Sequence, residues 1–238
     1  MRAVITFHSL DDSGSVLSFA PKRFAKFVES LARAGVPIVS YPELLKRDAG
    51  IAITFDDGMR SVHDIALPVL REHRAPAHLF LTTGAVGRDN RWRSQPDHAP
   101  TFTMLDWGHV QACAAQGVLI ESHTRSHPDL RALTAPEIAE ECAAADEQIA
   151  LRTGRRPRLF AYPYGLFDAR VTAAVADRYE ASFSTRMAYL GSHVDPTQVP
   201  RIDAYYLQER WIQDRLLTRV GRGYLDARGW IRRLRGIR

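Results

Sequence analysis

Cysteine and lysine are scarce in this 238-residue chain: it holds two cysteines and only Lys22, Lys26 and Lys46 among its 32 basic residues. Cys113 and Cys142 stand among alanines in stretches of helical pattern, so both read as small buried residues and the fold does not rest on disulfides. No apolar run approaches the roughly 20 residues of a membrane span. Residues 1–7 enter a strand pattern without the apolar segment and cleavage site of a secretory leader, and the expectation is cytoplasmic residence. Repeats and low-complexity tracts are also missing. What remains is long enough for one compact enzyme-sized domain that buries about 70–75% of its unfolded surface.

Two short stretches carry chemistry, Thr54-Phe55-Asp56-Asp57-Gly58 and His123-Thr124-Arg125-Ser126-His127. Taken alone each has an ordinary explanation: Asp-Gly ends a strand as a turn, and two histidines four apart are commonly surface neighbours. Together they supply a three-ligand site for a divalent metal, Asp57, His123 and His127, with the Asp56 carboxylate left to accept a proton. A catalytic site of this type keeps a position open for water and lowers the pKa of that water from 15.7 to about 7, which makes hydroxide roughly 12 kcal/mol easier to generate. Zinc suits two imidazoles and a carboxylate, as do cobalt and nickel.

Apolar, β-branched runs recur at Val4–Phe7, Pro37–Tyr41, Ile51–Phe55, Ala77–Leu81, Val118–Glu121, Leu159–Tyr162, Ala181–Ser184 and Val199–Ile202. Helical stretches separate most of them, at 21–35, 59–73, 104–116, 135–152, 167–178 and 206–219. The helix at 135–152 is the clearest, because Thr134 and Glu137 form a capping box with Pro136 in the first turn. This alternation predicts a single-domain α/β fold, an irregular (β/α) barrel of about seven to eight strands over 1–205, with 206–238 as a C-terminal helix and basic tail. His8 then follows the first strand, Asp56 and Asp57 the third, His123 and His127 the fifth, and Pro163-Tyr164-Gly165 the sixth. All fall on the C-terminal rim, where barrel enzymes place their chemistry.

Thr54-Phe55-Asp56-Asp57-Gly58, His123-Thr124-x-x-His127 and Tyr162-Pro163-Tyr164-Gly165, in that order, resemble the first three motifs of the polysaccharide deacetylases, and the resemblance runs over about 4–205. It implies metal-dependent hydrolysis of an N- or O-acetyl group on a sugar. By matching position, Asp56 is the general base, Asp57, His123 and His127 are the ligands, and the Tyr164 backbone N–H helps stabilise the oxyanion, a contribution of about 3 kcal/mol.

The chain departs from the family pattern twice. Ala161 stands where the third motif usually carries an arginine that orients the base, and no histidine follows His193 to serve as the usual late general acid. In the rearranged exopolysaccharide N-deacetylases of the poly-N-acetylglucosamine type, the acid-bearing strand comes first, and Phe7-His8-Ser9-Leu10 resembles that segment. His8 is therefore the candidate acid, imidazole being suited to proton transfer near neutrality; a strand-end histidine bonded to a backbone carbonyl is the alternative. On the last strand Arg201 or Asp203 is a candidate for the missing orienting group, the guanidinium on Asp56 or the carboxylate on His8, with a structural salt bridge as the competing explanation.

Two further regions bear on substrate. The long irregular segment 83–102, which includes Trp92 and Gln95-Pro96-Asp97-His98, is placed to contact sugar or is a surface loop. Residues 210–238 carry nine arginines against two aspartates, so this tail nets +7 and the remainder −2 of the formal +5. Aromatic and aliphatic residues interleave with the arginines. That pattern fits a solvated helix packed on the barrel, or peripheral contact with an anionic membrane or a lipid-linked donor; no nucleic-acid fold signal accompanies it. The functional expectation is deacetylation of a polysaccharide, oligosaccharide or lipid- or nucleotide-linked glycan precursor. A deformylase or amidase on the same barrel, and a catalytically silent carbohydrate-binding barrel, are the alternatives.

Overall fold

The computed structural model describes residues 1–93, 95 and 99–234, with the backbone alone for 232–234. Seven parallel strands form one curled sheet, in the order β8-β7-β6-β5-β4-β1-β9. They are β1 (Arg2–Phe7), β4 (Gly50–Asp57), β5 (Ala77–Leu81), β6 (Val118–Ser122), β7 (Leu159–Ala161), β8 (Ala181–Phe183) and β9 (Ile202–Asp203). A small parallel pair, β2 (Ser9–Leu10) and β3 (Ser18–Phe19), sits after the first strand.

The strands are buried on both faces, as parallel strands wrapped by helices must be. Ile5, Phe7, Ile53, Phe55, Leu79 and Leu81 face outward into one apolar cluster with the helix residues Phe24, Phe27, Val28, Leu67 and Val110. Val4, Ala52, Phe80, Ala161 and Phe183 fill the interior. Because side chains alternate along a strand, Thr54 and Asp56 share the interior face with Ala52.

The outer layer comprises α1 (Pro21–Arg33), α2 (Tyr41–Leu45), α3 (Leu67–Glu72), entered through a π-helical turn at Val62–Ala66, α4 (Trp107–Ala115), α5 (Ala135–Thr153), α6 (Ala169–Ala176), α7 (Arg210–Gln213) and α8 (Arg219–Leu234). The capping box of α5 is present, with Glu137 accepting from the Thr134 N–H at 2.7 Å.

Two expected elements are corrected. Pro37–Tyr41 is not a strand: Ile38 makes a single bridge to Ile51, and Tyr41 already opens α2 with Pro42 in its first turn. The helix expected over 206–219 is broken into a 3-10 turn, the four-residue α7 and a turn, because the Thr218 hydroxyl accepts from the Gly221 N–H and starts α8 afresh.

The barrel closes through a short segment. Val199 bridges Phe183 at one edge of the sheet, and three residues later Ile202 pairs with Ile5 at the other. Arg201 lies between those two contacts and is 2% exposed.

Candidate active site

Asp56 and Asp57 end β4, but their backbones differ. Asp56 keeps the strand alternation and points inward, whereas Asp57 takes φ 71°, a left-handed value that lets its side chain leave that alternation. Thr124 (φ 67°), His127 (φ 56°) and Tyr164 (φ 58°) share this conformation. Among the described residues only Arg74 adds to these four as a non-glycine at positive φ. Such strain persists where surrounding contacts fix it, and here it gathers at one end of the barrel.

The loop after β6 carries both imidazoles. His123 and His127 each place Nε2 3.4 Å from Asp57 Oδ1, and one donor atom from each of the three residues lies within 4.8 Å of the others. His123 Nδ1 is 2.7 Å from the Ala161 carbonyl oxygen. A carbonyl can only accept, so Nδ1 carries a hydrogen, and Nε2 is the ring nitrogen turned toward Asp57.

Protonation states suit a cation as well. Burial opposes the Asp57 charge but the hydrogen bond with His123 overcomes it, holding the carboxyl far below its usual range. Burial pushes the His127 imidazole down to about 3, so it is neutral. An ionised carboxylate and neutral imidazoles are the forms that bind a divalent metal, so the donor set fits one.

Arg201 grips Asp56. Its Nη1 and Nη2 donate to Oδ1 and Oδ2, each at 2.7 Å, and Nη1 also donates to Thr6 Oγ1 at 3.1 Å. Burial disfavours the Asp56 charge, yet the guanidinium wins and the carboxyl lies below its ordinary value. His8, following β1, brings Nε2 to 4.0 Å from Asp56 Oδ2. Asp203 is turned elsewhere: its carboxylate accepts from the Tyr205 N–H at 2.8 Å and caps the turn after β9. The group on the Asp56 carboxylate is thus Arg201.

The model for polysaccharide deacetylase matches residues 46–181. Over 118 residues the chain is 34% identical to a chitooligosaccharide deacetylase of Rhizobium leguminosarum bv. trifolii, covering 49% of this chain and 47% of that protein. The chain belongs to the polysaccharide deacetylase family. It spans about half the length of the curated relatives it matches. In fold it is similar to IcaB from Ammonifex degensii (TM-score 0.73, 24% identity, covering 87% of this chain and 94% of that one). The deacetylase PplD of Streptococcus pyogenes, solved with acetate, superposes at TM-score 0.72 with 18% identity, covering 84% and 91%.

In this deacetylase-family chain an aromatic wall completes the rim. The Tyr164 ring meets the His127 ring edge-on at 4.4 Å, and Trp92 lies over His127 at 4.3 Å while its Nε1 donates to the Tyr164 hydroxyl at 3.0 Å. The segment bearing Trp92 is pinned by buried Asn90, which donates to the Pro100 carbonyl and accepts from the Phe102 N–H. Pro96, Asp97 and His98 of that segment lie outside the described residues.

Sequence reasoning missed Glu141. From α5 it accepts from the Ser126 N–H at 2.8 Å, the Ser126 hydroxyl at 2.9 Å and the Arg125 guanidinium at 3.2 Å, tying down the loop that carries both histidines. The capping box fixed where α5 begins, but nothing in the chain's pattern distinguishes Glu141 from the solvated Glu140 beside it.

Proposed function

We propose that this chain hydrolyses the N-acetyl group of an aminosugar within a glycan, with a divalent cation, zinc first among candidates, held by Asp57, His123 and His127. The observation that carries the reading is the juxtaposition of two carboxylates in different settings: Asp57 between two imidazole Nε2 atoms, and Asp56 beside it on Arg201. When bound, the cation would act as a Lewis acid on the acyl carbonyl and acidify the attacking water.

The remaining work falls to side chains and one backbone group. Asp56 takes the proton of the attacking water. Arg201 holds both of its oxygens, keeps it ionised and fixes its plane, the task the family usually gives to an arginine at the place of Ala161. His8, 4.0 Å from Asp56, returns a proton to the departing amine. The Tyr164 N–H is assigned to the acyl oxygen. Trp92 and Tyr164 exclude water and offer the sugar an aromatic face.

The basic tail is assigned a peripheral role, contact with an anionic membrane surface. Among the described residues no helix is long and apolar enough to cross a membrane. The test of the central reading is acetate release from N-acetylglucosamine oligomers before chelation, after it, and after zinc, cobalt or nickel is restored. Chelator-sensitive release is expected; silence on acetylated sugars with metal demonstrably bound would overturn it.

A further inference from the structure

Beside Trp92 lies a cleft of about 860 Å³. It shares its inner wall with the candidate site: Trp92 lines it, as do Ser126 and Pro128, the two neighbours of His127. Ala85, Ala132 and Leu133 add apolar lining.

Among the described residues four arginines and three acids line the same cleft, and their pairing is unequal. Asp89 is held by Arg91 at 2.9 Å, Glu141 by Arg125 and Ser126, and Asp129 by Arg131 at 2.7 Å. Every acid among the described lining residues is thereby paired. Arg88 and Arg93 have no acidic partner among the described residues, and both are exposed. A cleft with apolar lining, an aromatic wall and two guanidinium groups without an acidic partner among the described residues is complementary to a ligand that joins a sugar or apolar body to an anion.

We infer that the substrate glycan carries an anionic group, phosphate or carboxylate, next to the sugar that loses its acetyl group, and that Arg88 and Arg93 bind it in this cleft. The inference rests on the deacetylase reading for the identity of the reacting sugar, while the anion site itself rests on the cleft. The position beside Trp92 makes it a neighbouring subsite: an anion there orients the glycan across His127 without touching the reacting atoms.

Three substrates test it: chitotetraose as the neutral arm, a matched oligomer with a uronic acid neighbour as the carboxylate arm, and UDP-N-acetylglucosamine as the phosphate arm. One charged arm is expected to exceed chitotetraose in kcat/KM by about tenfold, with the advantage shrinking as salt rises. In the Arg88→Gln/Arg93→Gln double variant the charged-to-neutral ratio should collapse toward one, and in Arg88→Lys/Arg93→Lys it should largely return. A preference for chitotetraose over both charged arms, or a charged preference that survives the glutamine variant, overturns the inference. Should no arm release acetate, the deacetylase reading fails, and calorimetry decides the anion site separately. Chelator-treated protein should bind UDP-N-acetylglucosamine or the uronic acid oligomer and lose that binding in the glutamine variant. No binding of either overturns the site.

Discussion

Arg201 and Asp56, 145 residues apart in the chain, meet through two parallel hydrogen bonds of 2.7 Å at the place where the barrel closes. Both are almost wholly buried. The pair makes the closing segment part of the site, since the residues that join the two sheet edges also deliver the guanidinium.

Asp56→Asn should therefore abolish acetate release while leaving metal content near one per chain, because Asp56 is not among the ligand atoms. Arg201→Met should fail differently. It leaves a buried carboxylate without its partner, which costs about 3–5 kcal/mol, so urea unfolding should shift to lower concentration along with the loss of turnover. Near-full activity in Asp56→Asn would remove Asp56 as the base.

Metal removal separates ligands from base. Chelation should silence the protein and a stoichiometric divalent ion should restore it. His123→Ala should purify with little metal, whereas Glu141→Gln, which loosens the loop without touching a ligand, should bind metal about 10–100-fold more weakly. Equal metal content in wild type and His123→Ala, measured by elemental analysis, would refute the assigned triad.

The sheet strands of the barrel and the two stretches that meet at the candidate site were legible because each rests on local pattern: apolar runs at strand length, a capping box before α5, paired aspartates at a strand end. Pro37–Tyr41 misled because its β-branched residues match a strand while Pro42 starts a helix. The choice between Arg201 and Asp203 was not legible, since both sit on the closing strand and only three-dimensional closure shows which one reaches Asp56. Positive φ at Asp57, Thr124, His127 and Tyr164 was also hidden, because none is glycine and the strain is imposed by tertiary contacts.

The metal-free protein should lose stability as pH falls below neutrality. His127 titrates at about 3 when folded against an ordinary 6.5, so between those values the unfolded chain binds the extra proton. Its contribution is complete above 6.5 and declines as the pH drops toward 3, by about 2 kcal/mol between pH 7 and pH 5. Asp56 and Asp57, both lowered, add a further loss only below the ordinary carboxylate range. Urea midpoints of chelator-treated protein at pH 7 and 5 should differ accordingly, and the difference should shrink in His127→Asn. Parallel curves for the two proteins would show that His127 is not the group responsible.

Helix α8 buries one side and leaves another outside. Leu225 is buried on one side of the helix, flanked a turn away by Gly221 and Gly229. Val220, Ala227 and Ile231 lie on another, Val220 63% and Ile231 39% exposed, with Tyr224 between them partly buried against the core. Trp211 extends that stripe through its ring contact with Tyr224 at 4.9 Å. Arginines flank it, although Arg222 faces Asp226 and Arg228 lies over the Tyr206 ring. An apolar stripe bordered by cations suits the surface of an anionic bilayer, where each arginine near the headgroups contributes about 1 kcal/mol. Cosedimentation with phosphatidylserine-containing vesicles should exceed that with pure phosphatidylcholine and fall with salt. Val220→Ser/Ile231→Ser should weaken it severalfold while thermal unfolding stays unchanged, because both positions are exposed. Equal partitioning onto the two vesicle types would leave the stripe as ordinary solvated helix surface and the arginines without an anionic surface to bind.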